Sequence, residues 1–218
     1  MTGSRTIRVY RDLMGANAEW AAKTRALLDE KRVVMLNLIG SPGSGKTALL
    51  EWLGGHENGF RFAVLEGDVE TTRDAERLDR LDVPVSQLLT GGACHLEAKL
   101  VHHALRDLSL DELDFVFVEN VGNLVCPAEF DIGEDAKVAV LSVTEGEDKP
   151  VKYPLLFREA RAVVLTKTDL LPHLQFELDA CLGFVRQVNP KVRILKVSAR
   201  SGEGMNEWIG WLFHLKRR

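Results

Sequence analysis

A single α/β domain, built on a mostly parallel central sheet flanked by helices, is predicted by three features of this 218-residue sequence. The apolar run Val33-Val-Met-Leu-Asn-Leu-Ile39 has the length and composition of a buried parallel strand. Gly40-Ser-Pro-Gly-Ser-Gly-Lys46-Thr47 follows it at once, and Ala48-Leu-Leu-Glu-Trp-Leu53 then reads as a helix. Further apolar runs of strand length recur down the chain, each ending in polar or glycine-rich residues. Strand, glycine-rich turn and helix in this order make a P-loop. Its glycines let the backbone curl so that the N–H groups of Gly40, Gly43, Ser44, Gly45 and Ala48 can converge on phosphate oxygens. Lys46 adds positive charge there and the Thr47 hydroxyl can ligate Mg²⁺.

Composition narrows the partners. A formal net charge of −4 and a pI near 5.9 give no support to a nucleic-acid or anionic-membrane surface, so phosphates are expected to bind locally. No apolar run approaches the ~20 residues needed to span a bilayer, and Met1-Thr-Gly-Ser-Arg5 lacks the apolar core of a signal peptide, so a cytoplasmic location is expected. Cys94, Cys126 and Cys181 are too few, and odd in number, for a disulfide framework.

Residues 1–31 form an N-terminal extension ahead of the P-loop unit, 32–218. Leu13, Trp20, Leu27 and Leu28 have helical spacing among charged residues, which predicts an amphipathic helix from Gly15 to Lys31. After the P-loop helix, Phe60-Arg-Phe-Ala-Val-Leu65 reads as a strand ending in Glu66-Gly-Asp68, at the sheet edge where ligands bind. Asp68 is placed to reach Mg²⁺. Asp74 either orients the attacking water or merely complements the dipole of the helix it starts. Val83–Leu89 is a short strand, and Thr90-Gly-Gly-Ala-Cys94-His95 leads into a helix ending near Leu108, offering a thiol and an imidazole at a helix start.

Phe115-Val-Phe-Val118 is the next strand, followed by Glu119-Asn-Val-Gly122-Asn-Leu-Val-Cys126-Pro127. An acidic residue with glycine three positions on is the pattern by which nucleotide hydrolases sense a γ-phosphate: Glu119 approaches Mg²⁺ and the Gly122 N–H bonds the phosphate. Cys126 is either a small buried residue or a partner to Cys94 and His95. Three such ligands cannot close a tetrahedral site, but two copies would supply six across a two-fold axis. Cys181 lies in an apolar-patterned segment and reads as core.

Ala136–Val143 is another strand. The Pro- and charge-rich stretch Thr144–Pro154 beyond it reads as an ordered loop from which Lys149 or Lys152 can reach a nucleotide, in cis or across a dimer. Ala162-Val-Val-Leu165 ends in Thr166-Lys167-Thr168-Asp169, whose carboxylate can accept both the N1–H and the 2-amino group of guanine while the Lys167 stem covers the base. Val192–Val197 ends in Ser198-Ala199-Arg200, whose N–H groups can meet the guanine O6. A last helix from Met205 to Leu215 closes the sheet through Trp208, Ile209, Trp211 and Leu212.

With those residues in view, the chain resembles the nickel-incorporation GTPases of hydrogenase maturation, the HypB family, over nearly its whole length. The likeness lies in Gly40–Thr47, Glu66-Gly-Asp68 with Thr72-Arg-Asp74, Gly92-Ala-Cys94-His95, Glu119–Pro127 and Thr144-Glu-Gly-Glu-Asp-Lys149-Pro150. It implies a SIMIBI-type P-loop GTPase that dimerises with GTP, binds Ni²⁺ or Zn²⁺ through Cys94, His95 and Cys126, and delivers nickel to a hydrogenase large-subunit precursor with a HypA-type partner. Some relatives carry a Cys- or His-rich N-terminal extension, whereas residues 1–39 here hold neither residue. Most such GTPases also have Asn where Thr166 stands. A urease-type accessory GTPase would have a Cys-Pro-His triplet at Cys94-His95, and a small-molecule kinase is the remaining alternative on the same scaffold.

Overall fold

A computed structural model describes residues 3–68 and 81–216, the side chains of residues 3–14 and of Asp68 excepted. The expected runs become seven strands: β1 (Val34–Ile39), β2 (Phe62–Asp68), β3 (Val85–Leu89), β4 (Phe115–Glu119), β5 (Ala136–Ser142), β6 (Ala162–Thr166) and β7 (Arg193–Lys196). They form one sheet in the order β3-β2-β4-β1-β5-β6-β7, parallel at every pairing, a stronger result than the mostly parallel sheet expected. Strands β4 and β6 are buried at all five residues, because helices cover both faces; that is why they read as apolar runs rather than alternations.

Along β1 the side chains still alternate between faces. Leu36 and Leu38 join the cluster under α2 (Lys46–Gly54) and α8 (Met205–Lys216), where Trp208 and Leu212 are fully buried and Ile209 and Trp211 pack at the margin. Met35 and Ile39 enter the opposite layer. That layer holds α1 (Gly3–Lys31) and α3 (Ala98–Leu105) at one end, α6 (Pro154–Glu159) and α7 (Leu178–Val188) at the other.

Helix α1 begins earlier than its apolar spacing suggested and packs on α3. Trp20 places its ring 5.2 Å from both His102 and His103, and Asn17 bridges two loops, accepting from Ala98 N at 2.9 Å and donating to Asp131 O at 2.7 Å. The stretch read as a loop after β5 contains two short helices, α5 (Lys149–Lys152) and α6, each with proline in its first turn, where the missing N–H is no loss. Cys181 is buried in α7, as expected.

Strand β1 is central, with its sequence successors divided between its two sides, so the sheet has its topological switch point at β1. Loops leaving the carboxyl ends of β1, β4 and β6 meet there.

Candidate nucleotide and metal sites

The P-loop turns on left-handed glycines, Gly43 at φ 73° and Gly45 at φ 95°, and α2 starts at Lys46. Gly40 has no room for a side chain: a Cβ would lie 2.4 Å from Val140 O. Buried Lys46 rests its Nζ on Gly40 O at 3.4 Å and Ser41 O at 3.3 Å, at the mouth of the turn where an anion would sit. From β4, buried Glu119 accepts the Thr47 Oγ1 hydrogen at 2.8 Å. Two of the expected Mg²⁺ ligands are thus already paired oxygen to oxygen, an arrangement that fits a hard divalent cation. Gly122 lies against the P-loop itself, since a Cβ there would meet Pro42 at 2.7 Å. Asp68 ends β2, one strand beyond β4, with its side chain outside the described residues; Asp74 lies wholly outside them.

The base-reading segment is pinned to the same turn. Thr166 Oγ1 donates to Ser44 O at 2.5 Å and Lys167 Nζ to Gly43 O at 2.7 Å. The replacement of Asn by Thr therefore keeps a side-chain hydrogen bond to the P-loop backbone. Asp169 Oδ1 accepts from Ser198 Oγ at 2.6 Å, which leaves Oδ2 to be offered outward. A cavity of about 200 Å³ opens between these parts, walled by Ala48, Leu49 and Leu170 and edged by Thr166, Lys167, Asp169, Ala199 and Arg200. Sequence reasoning missed the apolar walls, Leu49 and Leu170, because a leucine in a helix or turn carries no signal beyond core.

Of the two lysines after β5, Lys149 reaches the P-loop of its own chain, 3.4 Å from Ser41 Oγ, while Lys152 pairs with Asp148 at 2.5 Å.

Cys94, His95 and Cys126 come together. Their ligand atoms lie within 4.8 Å of one another, the only such trio of potential ligands among the described residues. Two donors sharing one ion at ~2.3 Å can be at most ~4.6 Å apart, so a small inward movement of the thiols suffices. Cys94 and His95 stand between β3 and α3, and Cys126 opens α4 (Cys126–Glu129). Asn123 stitches the two loops, donating to Cys94 O at 3.3 Å and accepting from Val125 N at 2.9 Å. The His95 ring stacks on Phe130 at 3.7 Å with Nε2 buried, so Nδ1, 3.7 Å from Cys94 Sγ, is the atom presented to the thiols. Burial lowers the His95 pKa against the pull of Glu97 and Glu129, favouring the neutral imidazole that binds metals. A hydrogen bond with Cys126, then burial, raises the Cys94 thiol above its ordinary value. Cys94 is exposed, so the trio is open to solvent on one side.

A phosphate-binding turn, a base pocket and a sensor loop at one sheet edge define the class: the chain belongs to the CobW/HypB/UreG family, whose nucleotide-binding domain matches residues 34–196. Within that family it belongs with the HypB hydrogenase maturation factors. It is 51% identical to "Hydrogenase maturation factor HypB" of Azotobacter vinelandii over 216 residues, covering 97% of this chain and 70% of that protein. The corresponding protein of Escherichia coli K12 is 47% identical over 213 residues, with coverage of 97% and 73%. HypB from Helicobacter pylori, solved in complex with nickel, superposes with a TM-score of 0.89 at 36% identity, over 93% of this chain and 95% of that one. Solved structures at 16–17% identity share the SIMIBI-type fold at a TM-score of 0.56. No helix among the described residues is long and apolar enough to cross a membrane.

Proposed function

We propose that this chain is a Mg²⁺-dependent GTPase that binds nickel as cargo at Cys94, His95 and Cys126 and releases it for hydrogenase maturation as GTP is hydrolysed. One observation carries the reading: the loop that places Gly122 against the P-loop at Pro42 also carries Cys126 to Cys94 and His95. A change at the γ-phosphate and a change at the soft donors thus share one stretch of backbone.

Preference for GTP over ATP is supported by Asp169, held by Ser198 so that a carboxylate faces the cavity. Adenine has neither an N1–H nor a 2-amino group to donate to it. The P-loop amides and Lys46 stabilise charge on the transferring phosphoryl group, and the Gly122 N–H accompanies them. Thr47, Glu119 and Asp68 would hold Mg²⁺, which neutralises phosphate charge when bound. Asp74 is assigned the positioning of the attacking water.

Two thiols and an imidazole suit nickel and zinc alike, and three donors from one chain leave the coordination sphere incomplete. The reading accordingly includes a GTP-dependent homodimer, a HypA-type accessory protein and a hydrogenase large-subunit precursor as recipient, in the cytoplasm.

Analytical ultracentrifugation with metal analysis tests it, with GDP and with a non-hydrolysable GTP analogue, for the wild type and Cys94→Ala. The analogue is expected to produce a nickel-carrying dimer whose metal Cys94→Ala loses. Nickel binding that ignores the nucleotide would sink the reading.

A further inference from the structure

Strand β1 carries one polar side chain in an apolar run, Asn37, and it is fully buried. It faces the same layer as Met35 and Ile39, which belong to two separate apolar clusters, so it sits at the seam between them. A buried amide is costly unless its donors and acceptor are met. Both sides of Asn37 are met, and in opposite directions across the sheet. Because β1 lies between β4 and β5, Asn37 stands opposite Val118 on one and Lys137 on the other.

Toward β4, Asn37 Oδ1 accepts from Asn120 Nδ2 at 3.0 Å, and Asn120 Oδ1 in turn holds Val121 N at 3.0 Å. Toward β5, Asn37 Nδ2 donates to Glu134 Oε1 at 3.3 Å. Buried Glu134 accepts from Ile132 N at 2.8 Å through Oε2. Lys137 lies 3.7 Å from Oε1 and donates to Ala128 O at 2.6 Å, in the helix that Cys126 opens. One amide on the P-loop strand thus grips both ends of the loop 120–134, with Gly122 near one end and Cys126 on its helix.

We infer that Asn37 and Glu134 are positioning residues that clamp both ends of this loop to the P-loop strand and so transmit the nucleotide state at Gly122 to Cys126. The inference rests on the proposed nickel-carrying GTPase. With the far end held, a displacement of Gly122 must be taken up between 122 and 126. With the clamp loosened, residues 127–134 absorb it and the thiol stays where it was. Coupling of this kind is a difference in metal affinity between two nucleotide states, separable from the affinity in either one.

The test measures Ni²⁺ affinity of the full chain by competition with a coloured chelator, with GDP and with a non-hydrolysable GTP analogue, alongside thermal melting. Asn37→Leu removes the amide at similar volume. Leu36→Val perturbs the same strand without touching the clamp. The wild type is expected to change its affinity between nucleotides by about 5- to 150-fold, the ordinary range for coupled sites. Asn37→Leu should reduce that factor to below about 2 while leaving the affinity with GDP within about 3-fold, and Leu36→Val should keep it. A folded Asn37→Leu with the wild-type factor, or a Leu36→Val that also loses it, overturns the clamp. Should Asn37→Leu not fold, Glu134→Gln decides by the same criterion, because its amide cannot accept from both Asn37 Nδ2 and Ile132 N. A wild type indifferent to nucleotide overturns the proposed function and the clamp together; a responsive wild type with a responsive variant overturns the clamp alone.

Discussion

In the nucleotide cradle, Lys46, Thr47, Glu119 and Thr166 are all buried and already engaged with one another or with the P-loop backbone. At the cysteine corner, Cys94 is exposed, Cys126 is half-buried, and the trio is held together chiefly by Asn123 and the stacking of His95 on Phe130. The contrast follows from what each region must do. Charge developing on a phosphoryl group is stabilised by dipoles fixed beforehand, which requires burial and mutual hydrogen bonding. A cargo ion must enter and leave, which requires an open side and an incomplete ligand set. The cradle is finished within one chain and the corner is not.

Removing Lys46 should separate the two regions most sharply. Lys46→Ala is expected to slow phosphate release from GTP by about 10²- to 10³-fold, with nickel binding in the presence of GDP unchanged. If nickel binding fell in parallel, the two regions would form one unit and the contrast would be wrong.

The reciprocal change is Cys126→Ser. Loss of a ligand should weaken nickel binding by about 100-fold, the upper end of what losing a mere supporting contact costs. Basal GTP hydrolysis without metal should stay close to that of the wild type. Chelator competition and a phosphate assay on the same preparation read both halves.

A smaller effect is expected at Thr166. Thr166→Val keeps the shape but leaves the Ser44 carbonyl without its hydroxyl donor, a loss of about 1–3 kcal/mol that should appear as weaker GTP binding by calorimetry. Thr166→Ser, which retains the hydroxyl, should bind as the wild type does. Equal weakening in both would mean that the methyl group, not the hydrogen bond, ties the base loop to the P-loop.

The last prediction sharpens the contrast in exposure and touches no activity. Burial pushes the Cys181 thiol up from 9.0 to about 11, so its reactive thiolate is scarce at neutral pH and grows only as pH rises toward that value. Brief alkylation of the metal-free protein at pH 8, followed by peptide mass spectrometry, should label exposed Cys94 before Cys181. Prior labelling of Cys181 would show that α7 opens more readily than its packing implies.

Most of the cradle was legible in the chain because its parts lie at strand ends in sequence order. Gly40–Thr47, Glu119–Gly122 and Lys167–Asp169 each follow an apolar run, and a parallel sheet brings the carboxyl ends of such runs to one edge. Cys94, His95 and Cys126 could be named as soft donors, but each was equally readable as a small core residue or a helix-start histidine until the fold put them within reach of one another. Asn37 and Glu134 carried no signal of their own: one was a single polar letter in a strand, the other one of several carboxylates before the next.

The sequence by itself determined the seven strands, the P-loop and the residues able to meet phosphate, guanine and a soft metal, because apolar periodicity and local turn chemistry act between near neighbours. Only the tertiary structure decided that Thr166 holds Ser44, that Lys149 rather than Lys152 reaches Ser41, and that Asn37 joins Asn120 to Glu134. Those partners lie 122, 108, 83 and 97 residues apart. Apolar patterning says which face of a strand is covered, whereas strand order and register say which polar atom lies opposite which, and they are properties of the whole sheet.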